Sequence, residues 1–217
     1  MNKYIVECIA TFFLVLTVGI AAVLGAAGAM APLAIGVMLM VLLYMGGHIS
    51  GAHYNPAVTL AVFIRGRCKA SDVAPYIAGQ LIGGALAALV VRYVFAGQFM
   101  VGETPSEITL WVPGATGAII ASELLFTFLL CFVVLNVATA KTTAGNDYFG
   151  LAIGFTFLAG AFTVGSISLG GFNPAVSFGL AIMGKLGWPD IWMHLLPQLL
   201  GSILAAFTFK GLCPDDK

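Results

Sequence analysis

Charge is what this sequence has least of. Only 8% of its 217 residues are Asp, Glu, Lys or Arg, and the formal net charge is zero. A soluble domain carries roughly 25% charged residues, so this chain lacks the surface that water requires. Zero net charge also leaves no basic face for nucleic acid and no polybasic patch for lipid headgroups. The three histidines stand without neighbouring cysteines or carboxylates, and this pattern excludes a metal-ligand set. The four cysteines, Cys8, Cys68, Cys131 and Cys213, are scattered and read as small packing residues. No phosphate-cradling glycine loop and no nucleophile–base arrangement is present, so nothing points to an enzyme or to a cofactor. No Asn-x-Ser/Thr sequon occurs either, which fits a prokaryotic plasma membrane.

What the chain has instead is apolar length. It is 60% hydrophobic, with a mean hydropathy of +1.05. A spanning helix needs about 20 apolar residues. Six such runs are legible, at Tyr4–Leu24, Ala31–Gly47, Val73–Phe95, Thr116–Thr139, Phe149–Gly165 and Ile191–Phe209. The first, with small residues near its end, also has the look of a cleaved leader. Glu7 lies inside it, though, and an internal repeat requires it, so it reads as a membrane helix. Small residues such as Gly79 and Gly83 let such helices approach closely. With the N-terminus inside, Lys3, Arg65, Arg67, Lys69, Lys141, Lys210 and Lys217 fall on the cytoplasmic side. Only Arg92 and Lys185 then fall outside.

The sequence is written twice. "NPAV" begins at Asn55 and again at Asn173, 118 positions apart (173 − 55), and Gln80 and Gln198 are separated by the same 118 (198 − 80). Ile49-Ser50 returns as Ile167-Ser168, and Glu7 with Thr11-Phe12 returns as Glu123 with Thr127-Phe128. The chain is one domain, 1–217, of two three-helix units, 1–97 and 116–211. The connection 98–115 lies on the outer side. Three is odd, so the second unit enters the membrane inverted.

Each NPAV motif opens an apolar run of about ten residues, which as a helix rises only about 15 Å. That is half a hydrocarbon core. Asn is a favoured N-cap and Pro a favoured first helical residue, so a half-spanning helix starts at each motif. Inversion brings the two positive N-terminal ends together near the midplane. "GGHISGAHY" and "VGSISLGGF" then read as non-helical stretches with spare carbonyls, allowed at that depth only where they are buried in protein or line a water-filled cavity. The pattern describes a pore for neutral hydrogen-bonding molecules.

These paired motifs, six helices and buried glutamates resemble the aquaporin, or major intrinsic protein, family across nearly the whole chain. "GGHISGAHYNPAVTLAV" is close to that family's first signature. The resemblance implies an all-α integral membrane channel with two re-entrant helices, for water and small neutral solutes such as glycerol, urea or ammonia. It implies central donors at Asn55 and Asn173, loop-bracing carboxylates at Glu7 and Glu123, and homotetramers with one pore per subunit. His48 and His53, with Gly51 and Gly171, fall on the pore wall or its loop supports. His194 reads as an interfacial residue near the outer end of the last helix.

One position departs from the pattern. Most members carry arginine directly after the second Asn-Pro-Ala, and here that place is Val176. The remaining positions of the outer ring fall on Ile35, Ala161 and Gly170, so the ring has no charge. The expected mouth is wide and apolar, and cation exclusion rests on the helix dipoles alone. Ser177 and Ala181 stand where glycerol-type members tend to have Asp and Lys, which pulls back toward the water channels. Two other classes fit parts of the pattern: a coupled secondary transporter, which also uses inverted repeats, and a structural membrane protein with a closed pore.

Overall fold

The computed structural model describes residues 1–99 and 115–216. Most of the connection 98–115, and Lys217, lie outside the described residues. The elements are α1 (Asn2–Val18), α2 (Ala31–Ser50), α3 (Pro56–Arg65), α4 (Ala70–Val90), α5 (Ala96–Phe99), α6 (Thr116–Val134), α7 (Phe149–Ser168), α8 (Pro174–Ile182) and α9 (Trp192–Leu212). With their π- and 3₁₀-helical ends, six of these are long and apolar enough to cross a membrane: Asn2–Val23, Gly28–Ser50, Ala70–Phe95, Thr116–Thr139, Phe149–Ser168 and Trp188–Leu212. Exposed Ile9, Phe13, Leu86, Leu125, Phe155 and Leu200 give the outside of the bundle the apolar surface that lipid covers.

Helices α3 and α8 are short, at 10 and 9 residues, and both start where the sequence predicts. Asn55 and Asn173 are extended N-caps whose side chains accept from Ala57 N–H (2.8 Å) and Ala175 N–H (2.9 Å). Each is followed by proline, whose missing N–H costs nothing in a first turn.

The non-helical stretches are shorter than the sequence suggests. Helix α2 runs through "GGHIS" to Ser50, and α7 through "VGSIS" to Ser168. Irregular backbone is confined to 51–55 and 169–173. The glycines that read as breakers serve other ends. A Cβ on Gly46 would collide with the ring of Tyr54, so this glycine admits the re-entrant loop.

The packing is doubled like the sequence. Helix α1 lies on α4 and α6 on α9, while α2 crosses α7 between the two halves. At that crossing a Cβ on Gly36 would stand 2.8 Å from the carbonyl oxygen of Gly154, and one on Gly154 would stand 2.6 Å from that of Gly36. Only two glycines allow the backbones this close. The half-helices pack crosswise, α3 on α9 and α8 on α4, so each is clamped by the other unit. Both chain ends lie on one face, hereafter the terminal face. There Lys3 pairs with Asp72 (2.7 Å), and Asp216 takes Arg65 (2.6 Å) and the Lys141 N–H (2.8 Å). Arg92 and Lys185 belong to the opposite, distal face.

Candidate functional site

Each re-entrant loop hangs from one buried carboxylate. Glu7 accepts from Ser50 Oγ (2.7 Å), His53 N–H (3.0 Å), Tyr54 N–H (2.6 Å) and Gln80 Nε2 (2.7 Å). Glu123 repeats the set with Ser168 Oγ (2.6 Å), Gly171 N–H (3.1 Å), Phe172 N–H (2.8 Å) and Gln198 Nε2 (2.7 Å). Both side chains are fully buried, and a carboxylate at that depth is tolerable only when its oxygens are so fully satisfied.

These bonds hold an unusual backbone. Ala52 (φ 53°), Tyr54 (φ 50°), Leu169 (φ 65°) and Phe172 (φ 44°) are all left-handed, a conformation costing about 1–3 kcal/mol for a residue with a side chain. Because the glutamates take the N–H groups, the opposite edge of each loop is left as acceptors. The carbonyls of Gly51, Ala52, His53, Leu169, Gly170 and Gly171 receive no hydrogen bond from the described residues.

The loops meet at the asparagines. Asn55 Nδ2 donates to the Phe172 carbonyl (2.9 Å), and Asn173 Nδ2 donates to the Tyr54 carbonyl (2.9 Å). One hydrogen of each amide is thereby used. The other remains directed away from the protein's acceptors. Two helix N-termini, each equivalent to roughly half a positive charge, thus face each other across the chain's centre.

A string of cavities runs past this point. The central one, a constriction of about 20 Å³, is bounded by Asn55, Asn173, His53, Leu14, Leu39, Leu130 and Phe157, with the loop residues between. Toward the distal face it abuts, at Phe157, a cavity of about 60 Å³ lined by all four predicted ring residues, Ile35, Ala161, Gly170 and Val176. Toward the terminal face it opens at Ala52 and His53 into a wide mouth lined by Gly51, His48, Val134 and Ala138.

His53 stands at the inner boundary, its Nδ1 3.1 Å from Thr59 Oγ1 and its ring 5.0 Å from that of Tyr76. His48 is exposed on the last turn of α2 and lines the mouth without bonding to the loop. At Gly171, where the first half has His53, a Cβ would lie 2.7 Å from Ser177 Oγ, so that wall admits no side chain.

His194 is not interfacial. Its side chain is 1% exposed, with Nδ1 3.3 Å from Ser177 Oγ and 3.8 Å from Glu123 Oε1. It sits one helical turn before Gln198, on the face of α9 that points at Glu123, and it occupies the place Tyr76 has in the first half (194 − 76 = 118).

Sequence reasoning also missed an inner ring. Subtracting 118 from Ala161, Gly170 and Val176, and adding it to Ile35, gives Leu43, Ala52, Val58 and Ile153. All four border the central cavity. The repeat offset, applied to the outer ring, would have found them.

The profile of the family described as "Major intrinsic protein" matches residues 1–209. The chain belongs to the major intrinsic protein family. Members are channels, not enzymes. The chain is 36% identical to "Glycerol uptake facilitator protein-like 6" of Lactiplantibacillus plantarum over the full length of both. It is 34% identical to "Probable aquaporin NIP-type" of Nicotiana alata, covering 100% of this chain and 80% of that one. To "Probable aquaporin NIP4-2" of Arabidopsis thaliana it is 35% identical over 84% of its length, spanning 62% of that protein. The fold also matches the aquaglyceroporin of Plasmodium falciparum, with a TM-score of 0.82 at 20% identity, over 98% of this chain and 96% of that one.

Proposed function

We infer that this major intrinsic protein is a passive channel for water and small neutral solutes of the glycerol class. It lies in a cell membrane with both termini cytoplasmic and assembles as a homotetramer with one pore per subunit. The observation that carries the reading is the meeting of two capped half-helices, with a free amide hydrogen on each of Asn55 and Asn173.

A water or hydroxyl at the centre accepts from the two asparagines and donates to the unpaired loop carbonyls on either side. The opposite wall, Leu14, Leu39, Leu130, Ile153 and Phe157, offers no hydrogen bond, so the solute has a single polar track and slides along it. Cations meet two positive helix ends. Glu7 and Glu123 act as braces for the two loops, not as proton carriers, since their oxygens are already taken. The uncharged outer ring, Ile35, Ala161, Gly170 and Val176, leaves a mouth open to polyols. The one-sided distribution of basic residues supports the orientation, and the family resemblance supports the tetramer.

The test is glycerol uptake by proteoliposomes as concentration rises, with and without an uncoupler. A channel gives an initial rate proportional to concentration and indifferent to the uncoupler. A rate that saturates at low concentration and stops with the uncoupler would instead establish the coupled transporter.

A further inference from the structure

We propose that Lys185 supplies the positive charge of the distal mouth, in place of the charge missing from the ring at Val176, and so sets that mouth's discrimination against cations. The assignment rests on the channel reading above.

Lys185 is held where such a charge would act. After α8 ends, the chain turns at Gly184 (φ 79°), and the N–H groups of Lys185 and Leu186 return to the Leu180 carbonyl (2.9 and 3.3 Å). This closed turn fixes the Lys185 backbone at the rim. Its side chain, part-buried, borders the same cavity as Ile35, Ala161, Gly170 and Val176. Among the described residues that border that cavity, it is the only charged one.

The symmetry mate makes the contrast plain. Arg67 stands 12 positions after Asn55, as Lys185 stands 12 after Asn173, and its N–H returns to Val62 as that of Lys185 returns to Leu180. Arg67 faces a carboxylate, Asp216, at 3.7 Å. No carboxylate among the described residues forms an ion pair with Lys185.

The charge is also needed there. The C-terminal end of α8 points to the distal mouth and carries the negative pole of its helix. Arg92 covers one part of that end, donating to the Ile182 carbonyl (2.8 Å). Lys185, bordering the cavity just beyond that end, is the charge placed to offset the part that faces the solute. Without it, the mouth would present a helix C-terminus, which attracts cations. Burial pushes the Lys185 ammonium below its usual pKa of 10.5, as expected for a charge withdrawn from water.

The experiment compares wild type, Lys185→Gln, Lys185→Glu and Lys185→Arg in proteoliposomes, reading sodium and proton permeability as a ratio to water permeability. A unit charge acting across a part-buried mouth is worth about a tenfold change in that ratio. The expected result is a rise of that order in the Gln variant, a larger rise in the Glu variant, and the wild-type ratio in the Arg variant. A ratio unchanged in both the Gln and Glu variants, with water flux intact, would overturn the assignment to Lys185 alone. Absence of water and glycerol flux in the wild type would overturn the channel reading and this one with it.

Discussion

Two buried carboxylates each accept four hydrogen bonds that tie a re-entrant loop to the bundle. Each of Glu7 and Glu123 satisfies two backbone N–H groups, a serine and a glutamine, and thereby holds left-handed residues that would otherwise relax. Glu123→Gln keeps the shape but replaces an acceptor oxygen with a donor facing other donors. Bonds to a charged group are worth about 1.5–3 kcal/mol each. The variant is therefore expected to unfold at clearly lower temperature in detergent and to lose most water flux, measured by thermal unfolding and light scattering. A stable, fully conducting variant would mean the carboxylate is dispensable. These glutamates, and the asparagines, were legible because a charge or an amide in an apolar run is costly enough to need a reason. His194 was not: nothing local in "WMHLLPQ" says which face of the helix it occupies, and only its register with Gln198 turns it toward Glu123.

At the scale of elements, the half-helices were readable from their first two residues, since Asn-Pro encodes a cap and a first turn in local chemistry. The ends of α2 and α7 were misread because glycine usually signals a break, whereas here it admits a neighbour. Gly36 and Gly154 make the strongest case, each filling the space where the other's backbone passes. Gly36→Leu should cost about 3 kcal/mol through overpacking that no rotamer can relieve. A denaturation series should read this as a marked loss of stability.

The tie at the terminal face is a second test at this scale. The Lys141 N–H, helped by Arg65, holds the Asp216 carboxyl below its ordinary 3.8, against the opposing effect of burial. A lowered pKa contributes stability that is complete above that ordinary value and disappears as pH falls through the lowered one. Asp216→Asn should therefore unfold at a lower temperature than wild type at pH 7, with the gap closing as the pH drops below about 4.

At the scale of the whole molecule, the repeat in the sequence reads as two three-helix units, the second inverted. Inversion puts two helix N-termini at one point, makes the packing crosswise, and generates an inner ring, Leu43, Ala52, Val58 and Ile153, as the image of the outer one. The inner ring escaped the sequence reading because its residues are ordinary apolar ones that only the repeat singles out. The central claim is an open, neutral-solute pore whose distal ring lacks a blocking side chain at Val176. Stopped-flow light scattering on proteoliposomes of wild type and Val176→Arg, under an impermeant osmolyte and under glycerol, tests it most directly. The account predicts fast water-driven shrinkage in both proteins, and rapid glycerol re-swelling in the wild type. In the arginine variant re-swelling should slow by about tenfold or more, a barrier of ~1.4 kcal/mol per factor of ten. Wild-type vesicles that shrink and re-swell no faster than empty liposomes would contradict the account.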